Sequence, residues 1–148
     1  MTQVLLWLDD YCLRPHNPIL LAYPDAPRVF VFDVQARVSL KRIAFQYECL
    51  LEIPRIEIRS GEVAAELADA AREQSCSRIV TTSSVAPSFQ KTCATLQGEY
   101  QLPVDVLTPE PFLSLAEGEA ERLDLKRFSR YWHTIKTHAL SLNQSFDF

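Results

Sequence analysis

The residues able to do chemistry gather where apolar runs end. Val4–Leu8 (VLLWL) runs through Trp7 into Asp9 and Asp10, with Arg14 and Asn17 a few positions on. Arg28–Phe32 (RVFVF) ends in Asp33, with Gln35 close behind. Ser60-Gly61-Glu62 follows the alternating run Arg55–Arg59, and Ser83-Ser84 follows Arg78–Thr82. Gathered at one place, these groups offer carboxylates, one guanidinium and several hydroxyls. That set suits a polar heterocycle held by hydrogen bonds. It suits phosphate poorly: Asp9 and Asp10 repel an anion, and only Arg14 and helix N-termini favour one. Neither GxGxxG nor GxxxxGK[ST] occurs, and Gly61, Gly98 and Gly118 are the only glycines. A conventional dinucleotide or P-loop site is not expected.

Catalysis requires a nucleophile beside a base, a metal, or carboxylates paired at one site. Asp9 and Asp10 are adjacent, so on an extended chain their side chains diverge. His133 and His138 lie five apart, off the i,i+4 spacing that places two ligands on one helix face. Cys12, Cys49, Cys76 and Cys93 form no CxxC pair, and neither Cys12 nor Cys49 has a nearby His or Lys to activate a thiolate. The residues therefore predict a non-catalytic, metal-free protein with reduced thiols in the cytoplasm. Each binding candidate also has a purely architectural use. Trp7 can fill the core, the acids can end strands and cap turns, Arg14 can pair with an acid, and Ser83-Ser84 can cap a helix.

The elements that must position these groups follow from periodicity. Continuous apolar runs at 4–8, 28–32 and 78–82 suit buried strands. Arg55–Arg59 alternates, and Val104–Leu107 follows Pro103. Between them the period becomes about 3.6. Asn17–Ala22 opens with an Asn cap and a first-turn Pro. Ser39–Ile53 is capped by Ser39 and carries Leu40, Ile43, Ala44, Tyr47, Leu50 and Leu51 along one face. Gly61–Gln74 and Pro87–Tyr100 complete the helices. Strand and helix alternating four times, then a fifth strand, predict an α/β three-layer Rossmann-like fold: a five-stranded parallel sheet with helices on both faces, plus C-terminal helices. The 148 residues read as one domain, with a core at 1–110 and a helical extension at 111–148. A formal net charge of −4 argues against general nucleic-acid binding. No apolar run reaches the roughly 20 residues of a membrane span.

Several of these segments resemble the start of the cryptochrome/photolyase family. Val4–Leu20 (VLLWLDDYCLRPHNPIL) is similar to its opening strand, charged turn and first helix through Trp7, Leu13-Arg14, Asn17-Pro18 and Leu20. Val29–Asp33, Ser39–Leu51, Ile56–Leu67, Cys76–Thr82 and Val104–Leu115 resemble the strands and helices that follow. The likeness runs over about residues 4–115. Asp9 and Asp10 stand where the family usually carries two Arg, Pro15-His16-Asn17 departs from its Asp-Asn ending, and Ser83–Lys91 lacks its acidic, aromatic turn. The resemblance implies an antenna-type domain, which in photolyases holds a folate, deazaflavin or flavin chromophore. It also implies that light-driven DNA repair is beyond this chain alone, since about 30 residues after Leu115 cannot build the helical flavin domain. The ligand candidates are then Trp7, Asp9, Asp10, Arg14, Asn17, Asp33, Gln35, Gly61, Ser83 and Ser84. Phe128, Tyr131, Trp132 and Ile135, near helical spacing, are candidates for a homodimer or protein-partner surface. Two alternatives remain: a ligand-free homodimeric regulatory module, and a small nucleotide-binding protein of the adenine-nucleotide hydrolase or universal-stress type.

Overall fold

The structure, a computed structural model, describes residues 3–108 and the helical positions 129, 132, 133 and 136. The chain divides into two compact units, Met1–Pro109 and Glu110–Phe148, and the sheet with its four helices belongs to the first.

Five strands, β1 (Val4–Trp7), β2 (Arg28–Asp33), β3 (Ile56–Gly61), β4 (Arg78–Thr82) and β5 (Val104–Leu107), form one sheet. Every pairing is parallel and the order is β3-β2-β1-β4-β5. Four helices fill the crossovers: α1 (Pro18–Ala22), α2 (Leu40–Leu51), α3 (Val63–Glu73) and α4 (Phe89–Gly98). The chain steps outward from β1 to β3, then α3 carries it back past β1 to β4. Strand order therefore reverses between β1 and β4, and the crevice at their carboxyl ends is where an open parallel sheet receives ligands.

Alternation along the strands sorts the core into two layers. Leu5, Trp7, Val29, Val31 and Ile79 point to one face, where Ala64, Leu67, Ala70 and Ala71 of α3 and Phe89, Cys93 and Leu96 of α4 cover them. Leu6, Leu8 and Val80 point to the other face and meet Ile19, Leu20 and Ile53. Central strands buried on both sides read as unbroken apolar runs for this reason. The helix starts follow local chemistry. Asn17 caps α1 with Pro18 in its first turn, and the Ser39 hydroxyl accepts from the Arg42 amide at α2. Glu62 is itself the cap of α3: its carboxylate accepts from the Ala64 and Ala65 amides.

Helix α2 departs from the face that its apolar spacing marks out. Leu50 is fully buried, yet Leu40 is 81% exposed, Tyr47 50% and Leu51 67%. The inward face is set instead by Gln46 and Leu50, because Asp10 at the start of the first crossover captures Gln46 and, from the exposed turn before it, Arg42. A charged hydrogen-bond anchor has turned the helix about its axis and left part of its apolar stripe outside.

Candidate functional site

At the carboxyl ends of β1 and β2 lies a pocket of about 470 Å³, bounded by α2 on one side and the first turns of α3 and α4 on the other. This is within the range of small-molecule sites. Its aromatic walls come in two pairs. Trp7 stacks on Phe89 with ring centroids 5.4 Å apart and planes at 20°, and Phe30 meets Phe32 edge-on at 4.9 Å. The polar lining consists of Asp9, Asp10, Tyr11, Asp33, Gln46, Ser60, Ser88 and Thr92; no Lys or Arg lines it.

The three acids differ in what they hold. One Asp9 oxygen accepts from the Tyr11 amide at 3.3 Å and from the Ser84 hydroxyl, which closes the short 3-10 turn Asp10–Cys12 and ties it to the loop after β4. Asp10 turns the other way. Its carboxylate accepts from Arg42 at 2.6 Å and from the Gln46 amide, fixing α2 as the pocket wall. The hydrogen bond and charge of Asp10 push the Arg42 guanidinium still higher than its ordinary value, and the same guanidinium lies 5.7 Å over the Tyr11 ring. Asp33 accepts only the Gln35 amide, at 2.9 Å through Oδ1, so Oδ2 has no partner among the described residues. Among the described residues Asp9 likewise keeps its Oδ1 without a partner, so Asp33 and Asp9 each have an oxygen to offer, whereas both oxygens of Asp10 are engaged.

Trp7, Asp9, Asp10 and Asp33 thus converge, as strand-end residues of a parallel sheet should. The other sequence candidates do not line the pocket. Arg14 and Gln35 are exposed. Asn17 is buried to 1% exposure and holds the loop together: its amide donates to the Cys12 carbonyl, and its Oδ1 accepts from Ile19 and Thr82. Gly61 sits where a Cβ would fall 2.6–2.7 Å from the Glu66 side chain, so its smallness serves the α3 junction. Ser83 joins β5 through its amide to the Leu107 carbonyl. Ser84 accepts from the Ala86 amide and reaches the site only through Asp9; the residue before α4 is Ser88, whose side chain makes no cap. Phe128, Tyr131 and Ile135 lie outside the described residues, and Trp132 is helical and 40% exposed. Sequence reading missed Arg42, Gln46, Phe30 and Phe89. The i,i+4 pair Arg42/Gln46 on one helix face was the available signal.

The thiols fit a structural use. Burial first, then the Asp9 charge, pushes Cys12 and Cys93 up, and burial alone pushes Cys76 up. A thiol raised in the folded state favours folding below the unfolded-state value and loses that contribution as pH climbs through the folded one. Stability is accordingly expected to fall from about pH 8.5 upward. At pH 8, a disulfide reagent should modify the half-buried Cys49 first, and Cys12, Cys76 and Cys93 at least about tenfold more slowly. Equal rates at all four would contradict the burial shown.

Among the described residues, no cluster of three His, Cys, Asp or Glu could hold a metal ion, and no helix is long and apolar enough to cross a membrane. No family model matches the chain, and no curated protein matches it. Among solved structures it is similar to a class III photolyase from Agrobacterium tumefaciens, with a TM-score of 0.56 and 19% sequence identity. The match covers 92% of this chain and 32% of that one, so this chain spans about a third of the photolyase's length. Its five-stranded, all-parallel α/β architecture is accordingly a photolyase-like fold.

Proposed function

We propose that the pocket at the ends of β1 and β2 binds a small planar heterocycle without phosphate, in the manner of a photolyase antenna chromophore, and that the chain is not itself a catalyst. The observation that carries this reading is the lining: two aromatic pairs around three carboxylates, with no Lys or Arg. Aromatic walls receive a flat ring by stacking. The partnerless Oδ2 of Asp33 suits the N–H edge of an amino-pyrimidine or amide-bearing ring, as in a pterin or deazaflavin. A nucleotide fits poorly. Its phosphate would meet Asp9 and Asp10, and the first-turn amides of α3 are already taken by Glu62. The same argument disfavours an adenine nucleotide of the universal-stress type.

The test is absorbance above 350 nm in protein purified from its own host, with mass spectrometry of any released compound. It is joined by titration of colourless protein with tetrahydrofolate, riboflavin, flavin mononucleotide and ATP, read by quenching of Trp7. Binding of a phosphate-free ring ahead of ATP and flavin mononucleotide is expected. Preference for ATP, or no response to any of the four together with a colourless native protein, would sink the reading. Replacing Asp33→Asn keeps the shape but removes the charge and one acceptor. Loss of a charge-assisted bond of about 1.5–3 kcal/mol should weaken the bound ring about 10- to 100-fold, with little change in melting temperature. Unchanged affinity would place the ring elsewhere.

A further inference from the structure

We infer that the exposed stripe of α2 is a self-pairing surface on which a second copy of this chain docks antiparallel. Leu40, Ala44, Tyr47 and Leu51 follow one another at intervals of four, three and four residues, and all four are exposed. That spacing is the apolar seam of a two-helix pairing. The helix cannot turn this seam inward, because Asp10 holds Arg42 and Gln46 on the opposite side and Leu50 is seated in the core.

Charge selects the occupant. Lys41 and Glu48 flank the seam seven residues apart, at the same position of successive repeats. Both are exposed, with no ion-pair partner among the described residues. When two copies of such a helix lie antiparallel with Leu40 opposite Leu51, equivalent flanking positions face each other. Lys41 of each copy then comes alongside Glu48 of the other, twice, by the two-fold axis. A parallel pairing gives no such match, because the other flank of the seam carries no charge: Ile43, which lines the pocket, and the buried Leu50 stand there. The sequence is complementary to itself reversed, which a lipid surface or an unrelated partner would not require. The seam is short, so the dimer is weak and depends on concentration.

Sedimentation equilibrium of the full chain up to about 0.5 mM, a range suited to weak interfaces, tests this. Wild type is expected to dimerise. Lys41→Glu and Glu48→Lys each place like charges together twice and should each weaken the dimer about tenfold or more. Mixing the two variants in equal amounts should restore association as a heterodimer with both pairs reversed. Both positions are exposed, so circular dichroism should show unchanged folding. Tyr47→Glu should abolish the dimer. A wild type that stays monomeric, a dimer indifferent to Tyr47→Glu, or a mixture that associates no better than its parts overturns the inference.

Discussion

Replacing Asn17→Ala should cost about 3–4 kcal/mol of folding free energy, measured by urea unfolding. The side chain is 1% exposed and fills three roles at once. Its Oδ1 accepts from the Ile19 amide at 3.0 Å, which caps α1, and such a cap contributes about 1 kcal/mol. The same oxygen accepts from the Thr82 hydroxyl at 2.8 Å, joining the turn after β1 to the end of β4 across 65 residues. Its amide donates to the Cys12 carbonyl at 2.9 Å. Truncation leaves the buried Thr82 hydroxyl without its acceptor, at about 1–3 kcal/mol where water cannot enter, and takes one of two donors from the Cys12 carbonyl, which keeps the Arg14 amide at 3.0 Å and loses a bond of about 1 kcal/mol. Two further variants separate these contributions. Asn17→Ser restores the cap but reaches neither Cys12 nor Thr82, and should recover about 1 kcal/mol. Thr82→Val should be destabilising in the native chain and nearly neutral beside Asn17→Ala, because the stranded hydroxyl is then gone. A loss below 1 kcal/mol for Asn17→Ala, or additive behaviour of the pair, would show that this network does not hold the crevice.

That Asn17 starts a helix was legible, because an Asn followed by Pro before an apolar stretch leaves little else for the backbone to do. That it also clamps β4 was not, since nothing in the local sequence names Thr82. The same divide runs through the molecule. The five strands and four helices could be read because buried parallel strands must be apolar throughout and surface helices must repeat near 3.6 residues. The acids Asp9, Asp10 and Asp33 could be placed together because all three end parallel strands, and those ends share one side of the sheet. What periodicity could not supply was the rotation of α2. Its apolar residues cover an arc wide enough to allow more than one seating. The choice fell to an ion pair 32 residues apart, Arg42 with Asp10, a part that the sequence leaves equally open to the nearer Arg14. Tertiary partners of this kind also explain why Gln35 and Gly61, adjacent to the right strand ends, do not reach the pocket: one points outward and the other makes room for Glu66.

Trp7→Ala should remove about 3–5 kcal/mol of stability and abolish ring binding as well, because one side chain serves both the core and the pocket. Trp7 is 3% exposed and belongs to the layer beneath α3 and α4, yet its ring also forms a wall of the site against Phe89. The cost follows from lost apolar burial, the cavity left behind and the broken stack. The backbone tie to β4, from the Thr81 hydroxyl to the Trp7 carbonyl at 2.8 Å, survives the substitution, so the sheet register should hold. Core and site are told apart by Trp7→Phe, which keeps a ring against Phe89 and should cost about 1–2 kcal/mol. With the fold retained, a bound planar ring should lose affinity in proportion to the smaller stacking surface. The emission left to Trp132, which is 40% exposed, should move to the red. If Trp7→Phe folds and binds as the native chain does, Trp7 is a core residue alone. If it folds normally and binds less well, the wall it shares with Phe89 is part of the binding surface, and the carboxylates around it are there to orient what stacks on it.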